Sequence, residues 1–161
     1  MTKKILLYQA LLMPSDDNIL RMKKVLVLDG DTLPALSIIR SLGAKGVHIT
    51  TASHSKQSIC GHSRYNQLSL CYPQPLNAAD KFLQWIEQAL SNNHYDLIIP
   101  VTERTLVPIA RKFCNTPLAQ KIAIPELDAL ETVLDKAKTS TLAKQCSVPI
   151  PTSWDISTLD D

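Results

Sequence analysis

The stretch Val25-Leu26-Val27-Leu28-Asp29-Gly30-Asp31 constrains this chain more than any other. Four consecutive apolar residues bounded by a turn signal read as a strand buried on both faces, of the kind found at the centre of a parallel sheet. The strand stops at Asp29-Gly30-Asp31, which puts two carboxylates at its carboxyl end. In open α/β sheets that end of the central strands is where ligands sit.

From Lys23 onward, short apolar runs alternate with amphipathic helical patterns, the signature of βαβ units. After the opening strand, Thr32 is placed to cap a helix with Pro34 in its first turn, where proline is tolerated. Ala35, Ile38, Ile39 and Leu42 form its inner stripe and Gly43 ends it. Residues 47–51 read as the second strand, running out into Ser53, His54, Ser55 and Ser58 with a weak helical pattern near Cys60. Residues 67–72 form a shorter third strand closed by Pro73 and Pro75. Asn77 is the expected cap of the next helix, whose stripe is Ala79, Phe82, Leu83, Ile86 and Leu90.

Residues 96–101 read as a fourth strand with the same fully buried character as the first. It opens into Thr102-Glu103-Arg104-Thr105, and Thr105 as cap places Pro108 in the first turn of a helix that turns Leu106, Ile109, Ala110 and Phe113 inward. Residues 121–124 supply a fifth strand. The expected fold is α/β, a Rossmann-like three-layer unit with a mostly parallel five-stranded sheet.

Three segments follow from this pattern. Residues 1–21 are an N-terminal arm, appended or poorly ordered. Lys3-Lys4 and the apolar residues after them are too short a run to span a bilayer, and Pro14-Ser15-Asp16-Asp17 offers no cleavage signal. Residues 22–125 are the Rossmann-like domain. Residues 126–161 are a helical linker and an extended segment leading toward a further domain. Within them Asp135 caps a helix whose face of Ala137, Leu142, Ala143 and Cys146 is only weakly apolar. A helix this polar leans on something outside its own domain, and a homodimer is one candidate cover.

Composition excludes several function classes. The chain has 161 residues, with 45% hydrophobic and 20% charged, ordinary values for a globular protein. Seventeen basic residues against fifteen acidic ones give a net charge of +2, so no field points to nucleic acid or to a membrane. Cys60, Cys71, Cys114 and Cys146 are widely spaced, which argues against a metal site or disulfide framework and for a reducing cytoplasm.

The common α/β chemistries also fail on their motifs. A dinucleotide site needs a glycine-rich turn after the first strand, and here one glycine stands between two carboxylates that would repel phosphate. A Walker A loop is absent. A phosphoacceptor receiver also has acidic residues after its first strand, but it needs an aspartate ending the third strand and a lysine after the fifth. Those places hold Cys71-Tyr72-Pro73 and Ile124-Pro125-Glu126. No G-x-S-x-G elbow exists, and His48, His54, His62 and His94 have no motif partner. For His54 and His62, solvated loop histidines and weak substrate contacts are both open readings.

Three segments in this order carry a family resemblance: Leu28-Asp29-Gly30-Asp31 with Pro34-Ala35-Leu36, then Asp96-Leu97-Ile98-Ile99-Pro100-Val101-Thr102-Glu103, then Leu134-Asp135-Lys136 through Val148-Pro149-Ile150-Pro151-Thr152. Together they resemble the amino-terminal part of ATP-grasp enzymes, in the carbamoyl-phosphate-synthase-like group of carboxylate–amine ligases. The resemblance covers residues 23–154. It implies a pre-ATP-grasp domain, with ATP, Mg²⁺ and most catalytic groups held by later lobes. Neither the lid strand nor the metal cluster of those lobes is seen here. The resemblance therefore implies a substrate-side domain, inactive alone and with no cofactor bound, partnered by a C-terminal ATP-grasp domain or a split-gene partner.

The resemblance also implies that strands one and four lie side by side, bringing Asp29, Gly30 and Asp31 close to Thr102, Glu103 and Arg104 as a substrate crevice. Glu103 is the candidate to hold an amine, and a solvated helix-start carboxylate is the alternative. Asp31 either lines the crevice or caps the following helix. Arg104 either pairs with these carboxylates or meets a ligand carboxylate. Lys136 matches a lysine that reaches ATP phosphates in several family members, which here requires the further lobes. The alternative function is a stand-alone Rossmann-like binding or interaction module.

Overall fold

The computed structural model describes residues 22–92 and 95–152; the arm expected at residues 1–21 and the end of the extended segment, with Trp154, lie outside them. β1 (Lys24–Val27) is hydrogen-bonded on both sides, pairing Val25 with Ile49 of β2 (His48–Ser53) and with Leu97 of β4 (Leu97–Ile99). β3 (Asn66–Cys71) pairs with the far side of β2, so the sheet has four parallel strands in the order β3-β2-β1-β4. Residues 25–28 are each at most 2% exposed. Continuous apolarity is what a doubly covered strand requires, because its side chains alternate between two buried faces.

Val25 and Val27 point to one face, where Ala35 and Ile39 of α1 (Leu33–Ala44) pack with Val47, Ile49, Cys60 and Leu97. The Thr32 hydroxyl accepts from the Ala35 N–H at 3.4 Å, and Pro34 sits in the first turn. α2 (Ala79–Ser91) buries Phe82, Ile86 and Leu90, and α3 (Glu103–Phe113), packed beside it, buries Ile109, Ala110 and Phe113. β2 and β3 are joined without an α-helix, through a 3₁₀ turn at Ile59–His62 that buries Cys60. No described helix is long and apolar enough to cross a membrane.

The structure departs from the expected elements in several places. Gly43 lies inside α1, which runs on to Ala44 with Lys45 as its cap, and β4 is only three residues long where the sequence pattern predicts residues 96–101. The fifth strand is reduced to a single parallel bridge, Ile98 to Ile122, closed by the Ala123 N–H on the Ile98 carbonyl at 2.8 Å. Lys121 is drawn into a 3₁₀ turn at Pro117–Lys121, the Ile124 N–H turns back to the Ile122 carbonyl, and Pro125 has no N–H to extend a ladder. The sheet is thus four-stranded rather than five-stranded.

The cap of α2 is Ala78, not Asn77, whose N–H is spent in a turn on the Gln74 carbonyl. α3 starts three residues earlier than expected, with Thr102 as cap and Pro108 inside the helix. The reason is Asp29, which binds the N–H groups of Val101 and Thr102 and leaves Thr105 inside the first turn.

The chain divides into two compact units between Pro125 and Glu126. The second holds α4 (Leu127–Leu134) and α5 (Lys136–Gln145). Asp135 caps α5 by accepting from the Ala137 and Lys138 N–H groups, and the Thr139 hydroxyl reaches the Thr132 carbonyl at 2.8 Å to tie the two helices. α5 buries no residue, and Leu142 and Val148 are exposed.

Candidate functional site

At the carboxyl end of β1 the chain makes a left-handed kink, with Asp29 at φ 56°. Aspartate tolerates this region better than most residues because its short side chain bonds locally. The Asp29 carboxylate is fully buried and is met by donors from three elements. The N–H groups of Val101 and Thr102 reach its Oδ2 at 3.2 and 2.8 Å, and the Thr105 hydroxyl reaches the same oxygen at 2.6 Å. The Tyr72 hydroxyl at 3.0 Å and the Arg104 guanidinium at 3.1 Å donate to Oδ1. Asp29 therefore locks the loop after β4 and the start of α3 onto β1, and at a helix N-terminus its charge also meets the helix dipole. All its acceptor capacity is taken up by protein donors.

Tyr72, 2% exposed, accepts from the Asp29 N–H at 3.3 Å while donating to its carboxylate. Burial, followed by the adjacent Asp29 charge, pushes its phenol well above the usual range, so it stays a donor. Its ring stacks obliquely on Phe82 and Trp85, with centroids 5.1 and 5.7 Å away, which anchors the end of β3 to α2.

Asp31 does not cap α1, since Thr32 does. Its carboxylate faces the mouth of the crevice, 22% exposed, and accepts from the Ser53 hydroxyl at 3.0 Å and from Arg104 at 3.2 Å. Burial on its own raises the Asp31 carboxyl, but its own backbone N–H, Ser53 and the Arg104 charge together hold it below the usual value. Arg104 loses some proton affinity to burial, and the bonds and charges of Asp29 and Asp31 more than restore it. The guanidinium thus bridges the two carboxylates, and His54 Nδ1 lies 3.8 Å from Asp31.

Gly30 lies under the segment that follows β2. The Ser58 hydroxyl donates to its carbonyl at 2.6 Å, the Cys60 N–H does so at 3.0 Å, and a Cβ at Gly30 would sit 2.7 Å from Ser58 Oγ. A larger residue here would push the Ser58 hydroxyl off the Gly30 carbonyl. Thr102 is the α3 cap through its backbone, while its buried hydroxyl has no hydrogen-bond partner among the described residues. Glu103 is exposed at the first helical position and makes no hydrogen bond or ion pair among the described residues. Lys136, exposed at the first position of α5, belongs to the second unit.

The fold thus brings Asp29, Gly30, Asp31, Thr102, Glu103 and Arg104 to adjacent strand ends, because β1 and β4 are neighbours. β1 is followed in sequence by β2 on one side and flanked by β4 on the other, so this is a topological switch point. Inside it, two carboxylates meet one guanidinium, which leaves one net negative charge at the mouth. Such a mouth suits a cationic or amine-bearing group better than an anion. Among the described residues no three His, Cys, Asp or Glu side chains converge as a metal site, and the carboxylates of the crevice are already engaged by Arg104. These residues do not fit a Mg²⁺ centre.

Tyr72, Thr105 and Ser53 were not identified from the sequence as parts of this network. Tyr72 carried a usable signal, a phenol at the end of a strand whose neighbours also end in polar groups. Thr105 and Ser53 carried none beyond their place near strand ends.

No protein-family model matches the chain, and no curated protein matches it. Among solved structures it is similar to an L-amino acid ligase from Bacillus licheniformis, with a TM-score of 0.57 and 14% sequence identity over 80% of this chain. The chain spans 31% of the length of that protein. At this identity the likeness is one of fold: the α/β unit built around β1 is shared with part of a ligase.

Proposed function

We propose that this chain is the substrate-side domain of an ATP-dependent ATP-grasp ligase, one that forms an acyl phosphate and passes it to an amine. The supporting observation is the fold shared with part of an L-amino acid ligase, combined with an acidic switch-point crevice. In this reading Asp31 and Glu103 receive the amino group of a small substrate. Asp29, Tyr72, Thr105 and Arg104 are positioning residues that hold the crevice wall. ATP and Mg²⁺ belong to lobes beyond this chain, with Lys136 meeting the phosphates once those lobes are present. The protein works in the cytoplasm.

The experiment is to follow the reading frame past Asp161 and express the whole product. ATP-grasp lobes and phosphate release that depends on an amino acid are the expected results. Glu103→Ala in that protein raises KM for the amine substrate and leaves KM for ATP unchanged. An in-frame stop, together with no amino-acid-induced shift of the Asp31 or Glu103 amides in this chain, removes the ligase reading.

The second reading, a stand-alone binding or interaction module, is favoured by one observation: Asp29 and Asp31 are both already paired with Arg104. It predicts a self-contained particle, or a homodimer covering the exposed Leu142 and Val148. Sedimentation across a concentration series separates the two.

A further inference from the structure

Beside α1 and the 3₁₀ turn that follows β2 lies a groove of about 560 Å³ lined by Arg40, His62, Ser63, Arg64 and Tyr65. None of these side chains is acidic. Arg40 and Arg64 are both exposed, and among the described residues neither forms an ion pair with a carboxylate. The chain as a whole is nearly balanced, at +2, so two guanidiniums without a carboxylate partner in one concavity are a local concentration of positive charge. Like charges held together at a surface repel, and a bound anion relieves that repulsion.

The groove is also built, not merely open. Tyr65 packs so closely on α1 that a Cβ at Gly43 would lie 2.5 Å from Tyr65 Cβ. Glycine at this helical position is what permits the approach. The 62–65 segment is held by successive tight turns, with the Ser63 N–H on the Cys60 carbonyl and the Asn66 N–H on the Ser63 carbonyl, each at 3.0 Å. Arg64 is fixed along the Tyr65 ring, its Cζ 4.8 Å from the centroid, and donates to the Tyr65 hydroxyl at 2.7 Å. One of its terminal nitrogens is thereby oriented, and the rest of the fork stays available.

We propose that this groove is a binding site for the phosphoryl group of a small phosphorylated ligand, clamped by Arg40 and Arg64 with His62 and Ser63 as further donors. A phosphate monoester carries about −1.5 to −2 charge near neutral pH, which matches the two guanidiniums. Its several acceptor oxygens suit planar forks that donate in pairs. The volume leaves room for the organic part of the ligand. The site is independent of the ligase reading, because it uses none of the crevice residues.

The test is an NMR titration of the isotopically labelled chain with inorganic phosphate at constant ionic strength, following the His62 ring and the Arg64 side-chain N–H. Acetate, matched for ionic strength, is the comparator. The expected result is saturable movement of both signals with phosphate and none with acetate. Arg40→Ser and Arg64→Ser each weaken binding by about tenfold or more, and Arg64→Lys weakens it despite keeping the charge. Both arginines are exposed, so these variants keep the wild-type amide spectrum outside the groove. Linear, unsaturating shifts, an equal response to acetate, saturation confined to other residues, or unchanged affinity in the serine variants overturns the proposal.

Discussion

Replacing Asp29 tests the central claim that one buried carboxylate holds the crevice together. In Asp29→Asn the amide oxygen can keep the Oδ2 partners, namely the Val101 and Thr102 N–H groups and the Thr105 hydroxyl. The amide nitrogen then faces the Tyr72 hydroxyl, which can accept, and the Arg104 guanidinium, which cannot. One charge-assisted bond is replaced by a donor–donor contact, at a cost of about 2–3 kcal/mol. The larger penalty of an orphaned buried ion does not apply in full, because Arg104 is 23% exposed and keeps Asp31.

In Asp29→Ala, the Tyr72 hydroxyl and the Val101 and Thr102 N–H groups all lose their acceptor, at roughly 1–3 kcal/mol each. Alanine at φ 56° adds about 1 kcal/mol of backbone strain. The sum is about 4–10 kcal/mol, a quarter or more of what a domain of this kind has in total. Urea unfolding followed by circular dichroism reads this directly. At a slope of about 2 kcal/mol per molar, the midpoint falls by about 1 M for asparagine and by about 2 M or more for alanine. Amide exchange at Val101 and Thr102 accelerates in the alanine variant and stays near wild type in the asparagine one. Equal midpoints for the two variants, or losses under about 1 kcal/mol in both, would refute the assignment of Asp29 as the clamp.

Three further outcomes follow from the same geometry. The Asp31 carboxyl is held below its usual value, so its contribution to stability is complete above the unfolded carboxyl pKa of about 4 and disappears as pH falls through the lower folded value. Asp31→Asn therefore flattens the acid side of the stability profile while leaving its slope above about pH 5 unchanged, as thermal unfolding at graded pH will show. Gly43→Ala lies inside α1, where helix propensity alone predicts a gain of about 1 kcal/mol. The 2.5 Å approach to Tyr65 reverses the sign, so the melting temperature falls, and Gly43→Ala with Tyr65→Ala falls by less than the sum of the two single changes. Cys60 is fully buried, and burial together with the Asp31 charge pushes its thiol up to about 11. A thiol reagent at mildly alkaline pH should thus modify the exposed Cys71 and Cys146 in native protein and reach Cys60 only on unfolding.

The sequence alone was enough for the alternation of strands and helices, the central place of residues 25–28 and the Thr32 and Asp135 caps, because these depend on periodicity and on hydrogen bonds between near neighbours. It also put carboxylates at strand ends. It could not say how those carboxylates are used. Asp29 and Asp31 stand two positions apart and read alike, yet one is fully buried and saturated while the other faces the mouth. The difference comes from groups 43 to 76 residues away, Tyr72 and Thr105 among them, which only the parallel pairing of β1 with β4 and the placement of β3 bring into reach. The start of α3 was misread for the same reason, since its cap answers to a carboxylate on another strand and not to its own local residues. The fifth strand failed because a short apolar run establishes capacity for pairing, while a ladder needs a partner along its whole length and no proline at its end. Local chemistry specified the elements, and long-range pairing decided which polar groups are buried as structure and which stay partly exposed to solvent.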